Sequence, residues 1–171
     1  MAVNLLKNFM SFQRLGDDLM FVNFNNLANT HSQSAMETPK EGAYLTASGR
    51  ALELLSNSPA AWVLTIDNYA PKANDDYQVQ ASWDLYREKL ILNICNRTGE
   101  IKAADFDLSG FSKSFAKSTM TRLQADSPVA MNTMQNQQAI KKTVSESKIK
   151  LKAGNYSVSI PAYTFMEIVL E

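Results

Sequence analysis

The stretch YQVQASWDL, residues 77–85, decides the fold class. Val79, Ala81, Trp83 and Leu85 share one parity, and Gln78, Gln80, Ser82 and Asp84 share the other. That period of two is expected of an antiparallel strand with one face on a core and the other toward water. Moving outward, comparable runs follow at close spacing: AWVLTID (61–67), KLILNICN (89–96), IKAADFDL (101–108), FAKSTMTRL (115–123), KIKL (148–151), YSVSI (156–160) and TFMEIVL (164–170). Turn chemistry separates them at Asn-Arg-Thr-Gly, Leu-Ser-Gly and Ala-Gly-Asn. Some eight strands in this arrangement predict a mainly β chain, an antiparallel β-sandwich of jelly-roll type, over residues 59–171. Trp62 alternates with Leu64 and Ile66, and Trp83 with Val79 and Ala81, so both indoles are expected in the core.

Residues 1–58 read differently, as a short helix-strand-helix segment. In AVNLLKNFMSFQRLG, residues 2–16, Leu5, Phe9 and Phe12 form one helical stripe and Gly16 stands where the helix should stop. The run DLMFVNF, residues 18–24, has no consistently polar face and predicts a buried strand. A polar loop with Pro39 and Gly42 follows, then a helix over residues 46–57 that ends before Pro59.

Bulk composition narrows the function classes. The 171 residues are 45% hydrophobic, enough for a well-buried core. Seventeen basic and seventeen acidic residues cancel, which argues against nucleic acid or an anionic membrane as partner. No apolar run approaches the roughly 20 residues of a membrane span, and residues 1–20 do not have the pattern of a secretory signal. The one cysteine, Cys95, lies within LILNIC and reads as a buried, inert thiol.

Candidate chemistry is sparse. His31 is the only histidine, and no convergent partners for a triad or a metal site lie near it in sequence. There is no Gly-rich phosphate loop and no CxxC pair, so neither metal nor cofactor is expected. The pairs Asp17-Asp18 and Asp75-Asp76 sit beside turns and read as solvated or capping groups. Asn96-Arg97-Thr98 and Asn155-Tyr156-Ser157 match a glycosylation pattern that short sequences meet by chance.

Three pieces in order carry a resemblance: LILNICNR (90–97), LQADSPVAMNTM (123–134) and VSIPAYTFMEIVL (158–170). Together they resemble the C-terminal β-sandwich of α-L-arabinofuranosidases of glycoside hydrolase family 51, in which a TIM barrel precedes the sandwich. Residues 4–29 are similar to the seventh helix, eighth strand and following loop of that barrel, and residues 46–57 to its eighth helix. In this light the loop LQADSPVAMNTM is a structural signature: Pro128 breaks the strand and Asn132 bonds its own backbone in the turn.

The resemblance implies a non-catalytic accessory domain of an enzyme acting on terminal arabinofuranosyl residues of plant polysaccharides. Retaining glycosidases set two carboxyls about 5 Å apart, and the family carries them on the fourth and seventh barrel strands, which this chain does not contain. No catalytic residue is therefore assigned, and the chain alone is expected to be inactive. A family glutamine that binds sugar at the end of the eighth strand corresponds to Asn26. The implied partners are the TIM-barrel catalytic domain or a second copy of the chain, with arabinose-containing polysaccharide reached through the intact enzyme. Two other readings are a free-standing carbohydrate-binding sandwich and a small hydrolase using its own acids.

Overall fold

A computed structural model describes residues 2–30, 34–59, 62–67, 69–72, 75–149, 151 and 154–171. Its elements run α1 (Ala2–Gln13), a 3-10 turn (Gly16–Asp18), β1 (Met36–Glu37), β2 (Tyr44–Leu45), α2 (Ala47–Asn57), β3 (Trp62–Leu64), β4 (Tyr77–Asp84), β5 (Lys89–Asn96), β6 (Lys102–Asp107), β7 (Lys117–Ala125), β8 (Ile140–Lys148), β9 (Asn155–Ile160) and β10 (Thr164–Leu170).

The main sheet has the order β3-β4-β5-β10-β7-β8 and is antiparallel throughout. The last strand, β10, lies between β5 and β7, so its apolar run TFMEIVL closes the centre of the sheet. On one face sits the two-stranded sheet β6-β9, and the two layers enclose Val79, Leu90, Leu92, Ile94, Ile160, Met166 and Ile168. On the opposite face lie α1 and α2, which bury Leu6, Met10, Ala51 and Leu54 against Cys95, Leu123, Ile140 and Phe165. Each large side chain so buried contributes about 1.5–3 kcal/mol, and both layers are held mainly in this way. The sandwich expected from the alternation is present, with the helices as a third layer.

That third layer corrects the reading of YQVQASWDL. Gln78, Gln80, Ser82 and Asp84 do not face water; all four are buried. Arg14, just beyond α1, donates two hydrogen bonds to Gln78 Oε1, at 3.2 and 3.3 Å, and Gln80 Nε2 donates to Gln13 Oε1 at 2.7 Å. Alternation separates two faces by chemistry, and a polar face can be covered by a polar partner.

Other expectations shift for related reasons. Trp62 does pair with Trp83 in register, yet it is 68% exposed, because β3 is a three-residue strand at the edge of the sheet. Trp83, one strand further in, is half-buried against Phe111 and Phe115. The short strand expected at KIKL lies partly outside the described residues; its first residue, Lys148, ends β8, which runs through IKKTVSESK and pairs with β7 over nine residues. Apart from Ile140 and Val144 its side chains are polar, which suits an edge, where charged residues prevent pairing with another chain.

On α1 the buried stripe is Ala2, Leu6 and Met10, while Leu5, Phe9 and Phe12 are half-buried on the neighbouring face. The helix ends as expected, with Gly16 at φ +52°. The run DLMFVNF departs most from expectation. Residues 19–24 belong to no strand, and Met20 and Phe21 are 93% and 73% exposed. An apolar run becomes a buried strand only where neighbouring strands complete its hydrogen bonds, and the described residues supply none here.

Candidate functional site

Asn26 lies at the end of that exposed segment. Its carbonyl accepts the N–H of Ala35 at 3.0 Å, the carbonyl of Leu27 accepts from Met36 at 3.1 Å, and the Met36 carbonyl accepts from Asn29 at 3.1 Å. Asn29 adopts φ +55°, a conformation asparagine tolerates, and exchanges side-chain bonds with Thr38 at 2.7 and 2.8 Å. Residues 26–29 and 35–38 thus form a tongue that fixes the backbone of Asn26. His31 lies outside the described residues.

The tongue is fastened at its base to α2. Thr46 donates its N–H to the Ala35 carbonyl at 3.0 Å and its hydroxyl to the Ser34 carbonyl, while its oxygen caps the helix by accepting the Gly49 N–H at 3.2 Å. Gly49 is required there. A Cβ on residue 49 would lie 1.9 Å from the Ala35 carbonyl oxygen, so any side chain pushes the tongue off the helix.

The loop LQADSPVAMNTM reaches the same anchorage. Asn132 is buried; its Nδ2 donates to the Leu45 carbonyl at 2.9 Å, and its Oδ1 accepts the Ile140 N–H at 2.9 Å. Asn132 therefore does not close its own turn, as the sequence suggests, but ties the strand preceding α2 to the start of β8. It supports Asn26 through Leu45, Thr46 and Ala35. Sequence spacing gives no signal for this, because the partners lie 87 residues apart.

The asparagine of the Asn96-Arg97-Thr98 pattern is also structural. Asn96 is fully buried, donating to the carbonyls of Glu100, Ile160 and Pro161 and accepting from the Thr98 N–H and hydroxyl. With every amide valence engaged, it cannot serve as a glycan acceptor. Of the acidic pairs, Asp75 accepts from the Lys72 N–H at 2.8 Å and Asp76 pairs with Arg97 at 3.3 Å, whereas Asp17 and Asp18 lie in the 3-10 turn.

One buried carboxyl was not singled out from sequence. Glu167, in the centre of β10, bonds the Ser58 hydroxyl just beyond α2. Burial pushes its pKa above the usual carboxylate range, with the Ser58 bond and Lys142 opposing. It lies beneath the exit of α2 and acts as a clamp between helix and sheet. Burial likewise pushes Cys95 up to about 12, which leaves the thiol protonated and unreactive. Among the described residues, no group of three or more His, Cys, Asp or Glu side chains is placed to hold a metal.

Comparison with known proteins places this architecture. No curated protein matches the sequence. The arabinose-bound MgGH51 α-L-arabinofuranosidase superposes on 99% of the chain with a TM-score of 0.85 at 15% identity, the match covering 27% of that enzyme. The GH51 α-L-arabinofuranosidase of Thermotoga petrophila gives 0.77 at 18% identity, over 99% of this chain and 38% of its own. The arabinose complex of the Thermotoga maritima enzyme gives 0.76 at 18%, over 98% and 37%. At these identities the likeness establishes the fold, and the chain spans between a quarter and two-fifths of the length of these enzymes. The family model for the α-L-arabinofuranosidase C-terminal domain matches residues 7–164, from within α1 to the start of β10. The chain belongs to the α-L-arabinofuranosidase C-terminal domain family.

Proposed function

We propose that this chain is a non-catalytic accessory domain of an α-L-arabinofuranosidase that releases terminal arabinofuranosyl residues from plant polysaccharides. It supplies the last elements of the catalytic barrel and places Asn26 at the rim of the sugar pocket, while the reacting carboxyls come from the rest of the enzyme. The observation that carries this reading is the exposed segment 19–27. Met20, Phe21 and Leu27 stand in water between two well-packed helices, in a chain that spans 27–38% of the enzymes sharing its fold. A segment this apolar suits a strand whose neighbours belong to another polypeptide segment.

Asn26 suits a binding role because its backbone is fixed by the tongue while its amide can donate to and accept from a hydroxyl. The chain alone is therefore expected to leave aryl α-L-arabinofuranosides intact. Turnover above background that disappears on changing one Asp or Glu of this chain would overturn the proposal. In an enzyme that includes the barrel, Asn26→Ala should raise KM for the arabinoside by roughly tenfold, the cost of about one hydrogen bond to a sugar hydroxyl.

A further inference from the structure

Gln80, Asn93 and Glu167 stand directly opposite one another on the adjacent strands β4, β5 and β10. Gln80 bonds Gln13 of α1, and Glu167 bonds Ser58 just beyond α2, so this row lies on the helix-covered face of the main sheet. We propose that the three side chains hold a monovalent metal cation, sodium or potassium, between the sheet and the helical layer.

Three observations lead there. The side chains are polar, yet Gln80, Asn93 and Glu167 are only 2%, 8% and 6% exposed. Gln80 Oε1 and Asn93 Oδ1 have no hydrogen-bond partner among the described residues, and a buried polar atom left unpaired is costly enough to call for a ligand. Opposite residues on one face of an antiparallel pair carry their Cβ atoms about 4.5–5.5 Å apart. Asn93 therefore stands between Gln80 and Glu167, and because both neighbours are longer, their ends reach past its amide from either side.

The donor set selects the ligand class. Gln80 commits its amide nitrogen to Gln13 at 2.7 Å, which leaves its oxygen free, and Glu167 adds a carboxylate. Oxygen donors without thiolate or imidazole suit a hard cation. Toward β8 the row continues through Thr121 and Val144, so Glu167 is its one charged member. A monovalent ion cancels that charge, whereas a divalent ion would leave a positive charge buried. The chain does not supply the counter-charge in full: Lys142, the cation that bears on Glu167, is bonded to Glu53 at 2.9 Å, and burial still pushes the Glu167 pKa up.

The test follows thermal unfolding of the full chain at mildly alkaline pH, with choline chloride replaced stepwise by sodium or potassium chloride at constant ionic strength. The expected result is a saturable rise of several degrees in Tm at a Kd on the order of 10 mM, and the ion that gives the larger rise is the occupant. Asn93→Leu and Glu167→Gln should each weaken the response about tenfold or more. Both should still unfold cooperatively in choline chloride, since an apolar or neutral group of similar size needs no ion; Gln80→Met replaces either one that fails to fold. Equal Tm values in all three salts would overturn the proposal, as would an ion-specific rise that the variants retain. A rise with calcium or magnesium alone would overturn the monovalent assignment. The site does not depend on the accessory-domain reading, and the assay contains no sugar, so failure of one is distinguishable from failure of the other.

Discussion

KLILNICN in β5 and LMFVNFNN at residues 19–26 are similar strings with opposite fates. Both contain an apolar run followed by asparagine, and each run predicts a strand, over residues 89–96 in the first and 18–24 in the second. The first pairs with β4 on one side and β10 on the other, and from Leu90 to Asn96 every residue is buried. The second has no flanking strands among the described residues, and Met20 and Phe21 stand in solvent. The difference teaches that an apolar run specifies a demand for burial, whereas the strands on either side decide whether it is met. Even its asparagines diverge: Asn96 spends its whole amide on the fold, whereas Asn26 is held by its backbone.

Substitutions should therefore separate the two runs sharply. Ile94→Ala removes a fully buried side chain from the core between the sheets and should cost about 3–4 kcal/mol in urea unfolding. An undiminished midpoint would show that this core can collapse around the cavity. Asn96→Ala or Asn132→Ala, each stranding one buried and at least one part-buried backbone group, should cost about 2–3 kcal/mol. Gly49→Ala tests the ledge under Asn26. In an open helix it would stabilise by up to about 1 kcal/mol; here the Ala35 carbonyl makes it destabilising by about 1–3 kcal/mol. A gain in Tm would refute the tight apposition of tongue and helix.

The remaining effects are smaller. Glu167 has a folded pKa above its unfolded value, so the native state holds the proton more tightly and stability falls as pH rises from about 4.5 toward that raised pKa. Glu167→Gln should flatten that decline and raise Tm near pH 7 by a few degrees at most; an unchanged pH profile would assign it to other groups. Phe21→Ser should leave stability within about 0.5 kcal/mol, since nothing is unpacked. It should instead reduce dye binding and any self-association seen by light scattering, where exposed apolar residues 19–27 are expected to draw copies together. A full chain that stays monomeric and binds no dye would remove that expectation.

Much of the β architecture was legible because alternation is local. The strands at residues 77–84, 89–96, 102–107, 155–160 and 164–170 follow from parity and turn residues, as do the helix stop at Gly16 and the end of α2 before Pro59. Edges were less legible. The polar strand β8 has little apolar signal of its own, and the exposure of Trp62 depends on its place in the sheet rather than on its neighbours in the chain. The positioning role of Asn132 rests on a contact to Leu45, which leaves no mark in the spacing of residues.

By itself, then, the sequence determined which residues seek a core and with what period, since side-chain polarity and backbone geometry act over a few residues. Only the tertiary structure decided which of those demands were satisfied. It buried the glutamines of β4 beneath α1, engaged Asn96 and Asn132 in holding distant loops, and left Met20, Phe21, Leu27 and Trp62 largely in water. Burial is a property of what packs against a residue, and here those neighbours come from 60 to 90 residues away in the chain.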